Sequence, residues 1–449
     1  MKTKAIYKAL LAACLVLTFA SCTKDEEQIF DKSAAVRMKE ALINAKNILT
    51  AAPNGWVMYY YPEGDQIYGG YVHVMKFTEA GEVTVWSELF NNSYTSIFDM
   101  LPDDGPVLSF DTNNFAFHYW ATPSGSGKNQ YGESGLYQAY KGDFEFMIMK
   151  ATADEVILNG KRTRNKIHMY PISETPDEFM AKIDHMNEQL FVSSFNGTIG
   201  NDAVNLYLSL GNRQAKFTLP EQLNEDGEPL KVSVAYSITD RGISLYKPIK
   251  VGSNTISEFI FNPETQCLIS DNPNASLQGE LPEGWHAYNG FVGNYSLTYF
   301  DGTITGIEVK ADVVGKSYTV SGLSPAFDVV ATYDLGLGRI EIQAQYVAGP
   351  DETGNGYDVM MAGWDSKAGK VNYTTSGLYG ILNEEGNSIS WEDNNKFSGY
   401  TTDGFILYFF TTSGSRVGAT SAPWIWTGRE ALDASQQNRA KAWKTFDRL

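Results

Sequence analysis

The chain is poor in cysteine, histidine and basic residues. Three cysteines occur among 449 residues: Cys14, Cys22 and Cys267. If Cys14 is removed with an export signal and Cys22 carries lipid, as argued below, Cys267 is left alone. No intrachain disulfide can then form, and stability must come from packing. The histidines (His73, His118, His168, His185 and His286) lie too far apart in sequence for a helical pair or an HExxH zinc motif, so no metal is expected. Lys and Arg number 35 against 53 Asp and Glu, a net charge of −18. An acidic chain without a basic stripe is repelled by phosphate backbones, so nucleic acid is not an expected partner. Beyond the N-terminus no apolar run approaches the roughly 20 residues that a membrane-crossing helix needs. No repeat with the roughly 20–50-residue period of a solenoid is present.

What the chain does have is aromatics and glycine. Phe, Trp and Tyr make up 13%, led by 26 Tyr and 24 Phe, and there are 41 Gly. That mixture favours β structure with many tight turns. With 43% hydrophobic and 20% charged residues the chain can build real cores. At about 100–200 residues per domain, two to four domains are expected.

The N-terminus carries an address. Lys2, Lys4 and Lys8 precede the apolar run Ala9 to Ala20, which is too short to span a bilayer. Phe19-Ala20-Ser21-Cys22 resembles the lipobox of bacterial lipoproteins, with Phe19 where Leu is usual. Residues 1–21 are therefore expected to be a signal peptide, with Cys22 acylated and 22–32 a polar tether. Lys24-Asp25-Glu26 resembles the Lys-acid-acid signal that sends Bacteroidetes lipoproteins to the outer face of the outer membrane. The location this implies is the outer membrane, lipid-anchored and facing the cell exterior. The membrane is then a partner through the acyl chains, palmitate among them.

Residues 33–172 read as an N-terminal helix plus a β domain. Ala35, Met38, Leu42, Ala45 and Leu49 share one helical face between Ser33 and Thr50, and Pro53-Asn54-Gly55 ends it. From Trp56 the period becomes two: Tyr71, His73, Met75 and Phe77 alternate with their neighbours. Further short strands are expected at Val107 to Phe110, Phe115 to Trp120, Phe144 to Met149, Val156 to Leu158 and Ile167 to Tyr170. Such a meander loses its edges by closing, so a small up-and-down barrel, lipocalin-like in plan, is expected. The stretches Asn54 to Trp56, Tyr61 to Phe77, Gly105 to Asn114, Gly142 to Ile148 and Leu158 to Ile172 resemble the motifs of an uncharacterised family of Bacteroidetes surface lipoproteins. Members of that family sit beside Sus-type, TonB-dependent nutrient importers. The resemblance covers the first 170 or so residues and implies importer components as partners; it carries no catalytic residue.

Residues 173–190 read as a helical connector, with Thr175 as cap, Pro176 at the first helical position and Glu178 in the first turn. Its His185 is expected at the surface. A second β domain is expected over 191–280, with Asp271-Asn272-Pro273-Asn274 and Pro282-Glu283-Gly284 as linker. A third is expected over 285–412, from Gly293–Leu297 to Phe405–Phe410. Residues 413–449 form a tail with a helix from Thr427 to Phe446. The class is mainly β: multi-domain antiparallel meanders or barrels with short connecting helices.

No catalytic constellation stands out and no cofactor is implied. Asp351, Thr353, Asn355 and Gly356 imitate half a calcium loop, but Ala362 stands where the bidentate Glu belongs. Ser124 to Lys128 imitates a phosphate loop without its first Gly or closing Ser/Thr. No Gly-x-Ser-x-Gly stands between strand and helix. Paired carboxylates for glycoside cleavage require a spacing in space that sequence does not report. That leaves aromatics. Sugars present apolar C–H faces for rings to stack on, while nearby Asp, Asn and Glu take the hydroxyls. Trp120, Tyr131 and Tyr137 on or beside the Gly/Ser-rich loop, with Trp364 and Trp391 near later turns, are the candidate ligand-binding residues. Core packing is the competing reading for each ring. Three functions stay open: a non-enzymatic accessory binding a glycan or other nutrient, a hydrolase of that substrate, or a structural, protein-binding lipoprotein.

Overall fold

A computed structural model describes residues 32–110, 112–122, 140–300, 302–427 and 438–449. The chain is mainly β, built from antiparallel sheets with a few short helices. The described residues divide into two compact units, one drawn from within 1–58, 73–86 and 90–176 and the other from within 59–72, 87–89 and 177–449. Among the described residues no helix is long and apolar enough to cross a membrane.

The first unit opens with the helix Ala34–Ala51, whose end is capped where the Val36 N–H donates to Ser33 Oγ at 3.4 Å. Ala45 and Leu49 are its buried face, and the Trp56 indole N–H donates to the Leu49 carbonyl at 2.9 Å. Gly55, at φ +93°, allows the exit turn, since a Cβ there would run into the Met75 carbonyl. A nine-stranded sheet follows, from the edge strand Phe90–Ile97 through Glu82–Ser87, Tyr71–Phe77, Trp56–Tyr60, Lys166–Pro171, Val156–Gly160, Glu145–Ala151 and Pro106–Ser109 to Asp99–Pro102.

The expected closed barrel does not form among the described residues. The two edge strands are consecutive in the chain, separated only by Phe98. One residue cannot make a hairpin, whose tightest loops take two. Phe98 instead turns inward, buried edge-on against Phe77 at 4.9 Å, with its N–H on the Gly81 carbonyl.

A second correction concerns Phe115 to Trp120, expected as a strand and found as the helix Phe115–Ala121. The signal was a cap. Asn114 is fully buried, accepts the Ala116 N–H at 3.2 Å, and donates to the Tyr94 carbonyl and Ser96 Oγ. With the cap fixed, Ala116, Phe117 and Trp120 fall on one buried face, and packing overrides the β preference of aromatics.

Phe117 stacks on Phe110 at 4.3 Å and lies 5.0 Å from the ring of His73. His73 is wholly buried, and burial pushes its imidazole down to about 3. Between pH 6.5 and 3 the unfolded chain takes up a proton that the folded chain refuses, so stability falls as pH drops through that window. At pH 4 this costs on the order of 3 kcal/mol relative to neutral pH. His73→Phe should flatten the urea midpoint measured against pH across that range; a variant with the wild-type slope would show that other groups carry it.

In the second unit, the helix Pro176–Gln189 buries Phe179, Met180, Ile183 and Met186 and exposes His185. Eight strands then close into a barrel: Ser194–Ile199, Asp202–Ser209, Gln214–Leu223, Pro229–Ile238, Gly242–Val251, Asn254–Asn262, Cys267–Asp271 and Asn274–Gly279. The last pairs with the first, from Phe195 opposite Gly279 to Ile199 opposite Ala275. Strict alternation fills the interior with Phe195, Leu206, Phe217, Tyr236, Phe259 and Leu277. Asp271 to Asn274, expected as linker, is the tight turn between the two final strands.

A second closed barrel takes Gly293–Tyr299, Gly302–Ala311, Ser317–Ser321, Val329–Asp334, Arg339–Gln343, Gly377–Leu382, Ser388–Asp393 and Thr445–Arg448. Phe405 to Phe410 does not close it. The strand Gly404–Phe410 pairs with Asp358–Asp365 in a separate six-stranded sheet. The closing strand is Thr445–Arg448, in the stretch expected to end a helix at Phe446. Its residues alternate, with Phe446 inward and Asp447 accepting the Ser388 hydroxyl at 2.7 Å. Of the rest of that expected helix, Arg439–Ala440 is a short strand paired with Gly404–Phe410, and 428–437 lies outside the described residues.

Candidate functional site

Three of the aromatics singled out from sequence, Trp120, Trp364 and Trp391, are buried. Trp120 is wholly buried, edge-on to Tyr140 at 5.1 Å. Trp364 packs with Met360, Ile406 and Tyr408 on the six-stranded sheet, where the Arg439 guanidinium sits 5.4 Å from its ring. Trp391 lies in the second barrel's core against Phe446 at 4.8 Å and Trp443 at 5.4 Å. All three rings obey the hydrophobic effect: each is at least 93% buried, and the turns near them in sequence do not lift them out. Tyr131, Tyr137 and Cys22 lie outside the described residues.

Several titratable groups outside these cores are engaged structurally. Asp143 accepts the Arg162 and Thr163 N–H groups and the Thr163 hydroxyl, pinning the turn before Lys166–Pro171; burial lifts its carboxyl above the usual range. His118 Nδ1 meets the Asn114 carbonyl at 2.9 Å and its ring stacks on Phe144. His168 Nδ1 meets Glu155 Oε1 at 2.8 Å, and Lys150 with His168 holds that carboxylate down to about 2. The half-calcium loop is a turn after the short helix Pro350–Thr353, with Asn355 Oδ1 accepting the Tyr357 N–H. Among the described residues no three His, Cys, Asp or Glu gather as a metal site.

One concavity among the described residues lies on the outer face of the first barrel. It is a cleft of about 440 Å³. Two rows of outward side chains cross the same strands. Asn196 faces Asn205, which faces Thr218, which faces Lys231; Ser194 faces Tyr207, which faces Lys216, which faces Ser233. Glu280 closes one end, accepting the Asn196 amide at 2.5 Å. With strands about 4.8 Å apart, four of them make a row about 14 Å long. The two rows are about 7 Å apart, because same-face residues recur every second position.

Tyr207 stands out. It is 48% exposed in a strand whose Val204, Leu206 and Leu208 point inward, and Lys216 Nζ lies 6.0 Å from its ring centre. The paired strands Gln214–Leu223 and Pro229–Ile238 shift register between Leu219 and Leu223. A bulge of this kind bends a strand and re-aims the side chains beside it. Sequence reasoning missed this site because it sought aromatics on loops. The available signal was Tyr207 standing in the polar phase of Val204-Asn205-Leu206-Tyr207-Leu208.

Residues 26–263, more than half of the chain, match the family model described as "Domain of unknown function (DUF4302)". The chain belongs to the DUF4302 family. Residues 270–408 match a second model, DUF4987, likewise described as a domain of unknown function. Both rows of the cleft therefore fall within the DUF4302 part, and Glu280 within the other. No curated protein sequence matches the chain. Among solved structures, transferrin binding protein B from serogroup B Neisseria meningitidis is 10% identical across 76% of this chain and 71% of its own, with a TM-score of 0.13. The DNA polymerase III subunit beta from Pseudomonas aeruginosa is 9% identical across 77% and 96%, with a TM-score of 0.10. Neither likeness carries an argument for this DUF4302 member.

Proposed function

We propose that the chain is a non-enzymatic lipoprotein, anchored through Cys22 in the outer membrane and facing the cell exterior, that binds a glycan for a neighbouring Sus-type importer. The supporting observation is the open cleft around Tyr207, an exposed ring flanked by amide and hydroxyl side chains. That combination suits a sugar chain: the ring covers an apolar C–H face, and Asn205, Thr218 and Ser233 take hydroxyls. The lipobox-like stretch and the Lys-acid-acid run supply the address.

The test is a pull-down of the full chain on insoluble glycans, with the supernatant assayed for released sugar. Binding without product is expected. Tyr207→Ala should weaken it about tenfold, the size of one lost stacking contact. Released sugar would make the protein a hydrolase, and undiminished binding by the variant would move the site elsewhere. Cys22→Ala should abolish labelled-palmitate incorporation; uptake by that variant would sink the anchor.

A further inference from the structure

We propose that the Tyr207 cleft selects an acidic glycan, one whose sugars carry carboxylate or sulfate, and that Lys216 and Lys231 read that charge. The inference rests on the reading of the cleft as a glycan site and names the class of glycan.

The cleft is polarised. Lys216 and Lys231 project from the neighbouring strands Gln214–Leu223 and Pro229–Ile238, at diagonal positions of the two rows. Both are exposed, and neither forms an ion pair among the described residues. The cleft's acid, Glu280, sits at the opposite end and is held by Asn196. One end thus offers two unneutralised ammonium groups, the other an amide and a carboxylate that suit hydroxyls.

Between the ends stands the half-exposed Tyr207 ring, with Lys216 Nζ over it at 6.0 Å from its centre. A sugar ring lying on Tyr207 would place a charged substituent within reach of Lys216, and the next ring along the row would approach Lys231. A neutral glycan would leave both ammonium groups to water and gain nothing from them. Because the lysines are exposed, their contribution is screened by salt, with a Debye length of about 8 Å at physiological ionic strength.

The experiment is titration of the full chain in detergent with oligogalacturonate and its carboxyl-reduced, neutral counterpart, and with a sulfated galactan and its desulfated form. The acidic member of at least one pair should bind about tenfold more tightly, the sum of two modest exposed charge contacts. That preference should shrink with added salt. Lys216→Gln with Lys231→Gln should erase it while leaving the melting temperature unchanged. Which pair responds separates carboxylate from sulfate recognition. Equal affinity within both pairs would overturn the acidic-ligand inference and leave the glycan reading standing. Binding of neither pair, together with no retention on any insoluble glycan, would overturn both.

Discussion

Replacing Arg213 with methionine is expected to destabilise the second unit by about 3–5 kcal/mol, because it leaves a buried carboxylate without its counter-charge. Arg213 Nη1 donates to Glu88 Oε1 at 2.6 Å and Nη2 to Glu88 Oε2 at 2.9 Å, a two-pronged pair. The same guanidinium donates to the Gly70 carbonyl and Asn187 Oδ1 and lies over the Tyr71 ring. Glu88 in turn accepts the Val72 N–H at 2.6 Å. The Arg213 side chain is 9% exposed and that of Glu88 1%. Burial works against the arginine's charge, but the Glu88 carboxylate outweighs it and lifts the guanidinium above its ordinary range.

This network ties residues 70–72 and Glu88 to the first barrel. Glu88→Gln should be costly for the same reason. Arg213→Lys should also fall short, since an ammonium cannot reproduce the planar fork. The double variant Glu88→Gln, Arg213→Met should recover much of the loss, because neither buried charge then remains. Urea denaturation of all four proteins measures this. Single variants costing less than about 1 kcal/mol, the range of an exposed pair, would show the pair to be solvated.

Trp391→Ala should cost a similar amount, about 3–5 kcal/mol, in the second barrel. Trp391 packs on Phe446 and Trp443, and Trp443 also meets Phe405 at 5.2 Å, so truncation opens a cavity among rigid rings. Trp391→Phe should stay within about 1–2 kcal/mol of the wild type. It keeps a ring, and it removes a buried indole N–H that has no hydrogen-bond partner among the described residues. Thermal melts check both variants. A Trp391→Ala protein that melts normally yet loses glycan binding would return this residue to the ligand surface.

Much of the fold was legible locally. The helix Ala34–Ala51 declared itself through an apolar stripe and the stop at Pro53-Asn54-Gly55, and Pro176–Gln189 through Thr175 and Pro176. Alternation marked Tyr71 to Phe77 as a strand. Where local signals competed, reading failed. Phe115 to Trp120 has strand-like composition, and only a buried Asn114 with partners on another strand makes it helix. The candidate site was less legible still. A tryptophan looks the same in sequence whether it stacks on a sugar or fills a core, and Trp120, Trp364 and Trp391 all filled cores.

The sequence by itself determined the β class, the helix starts and which face of each strand is apolar, because a side chain's face follows from its place in a two-residue period. Tertiary structure alone decided which strands meet. Closure of the first barrel pairs Phe195 with Gly279, closure of the second pairs Tyr295 with Arg448, and Glu88 finds Arg213 across 125 positions. Such partners share no local pattern; they are selected by the geometry of burying whole sheets at once. The same geometry turned Tyr207, rather than Trp120, Trp364 or Trp391, toward solvent.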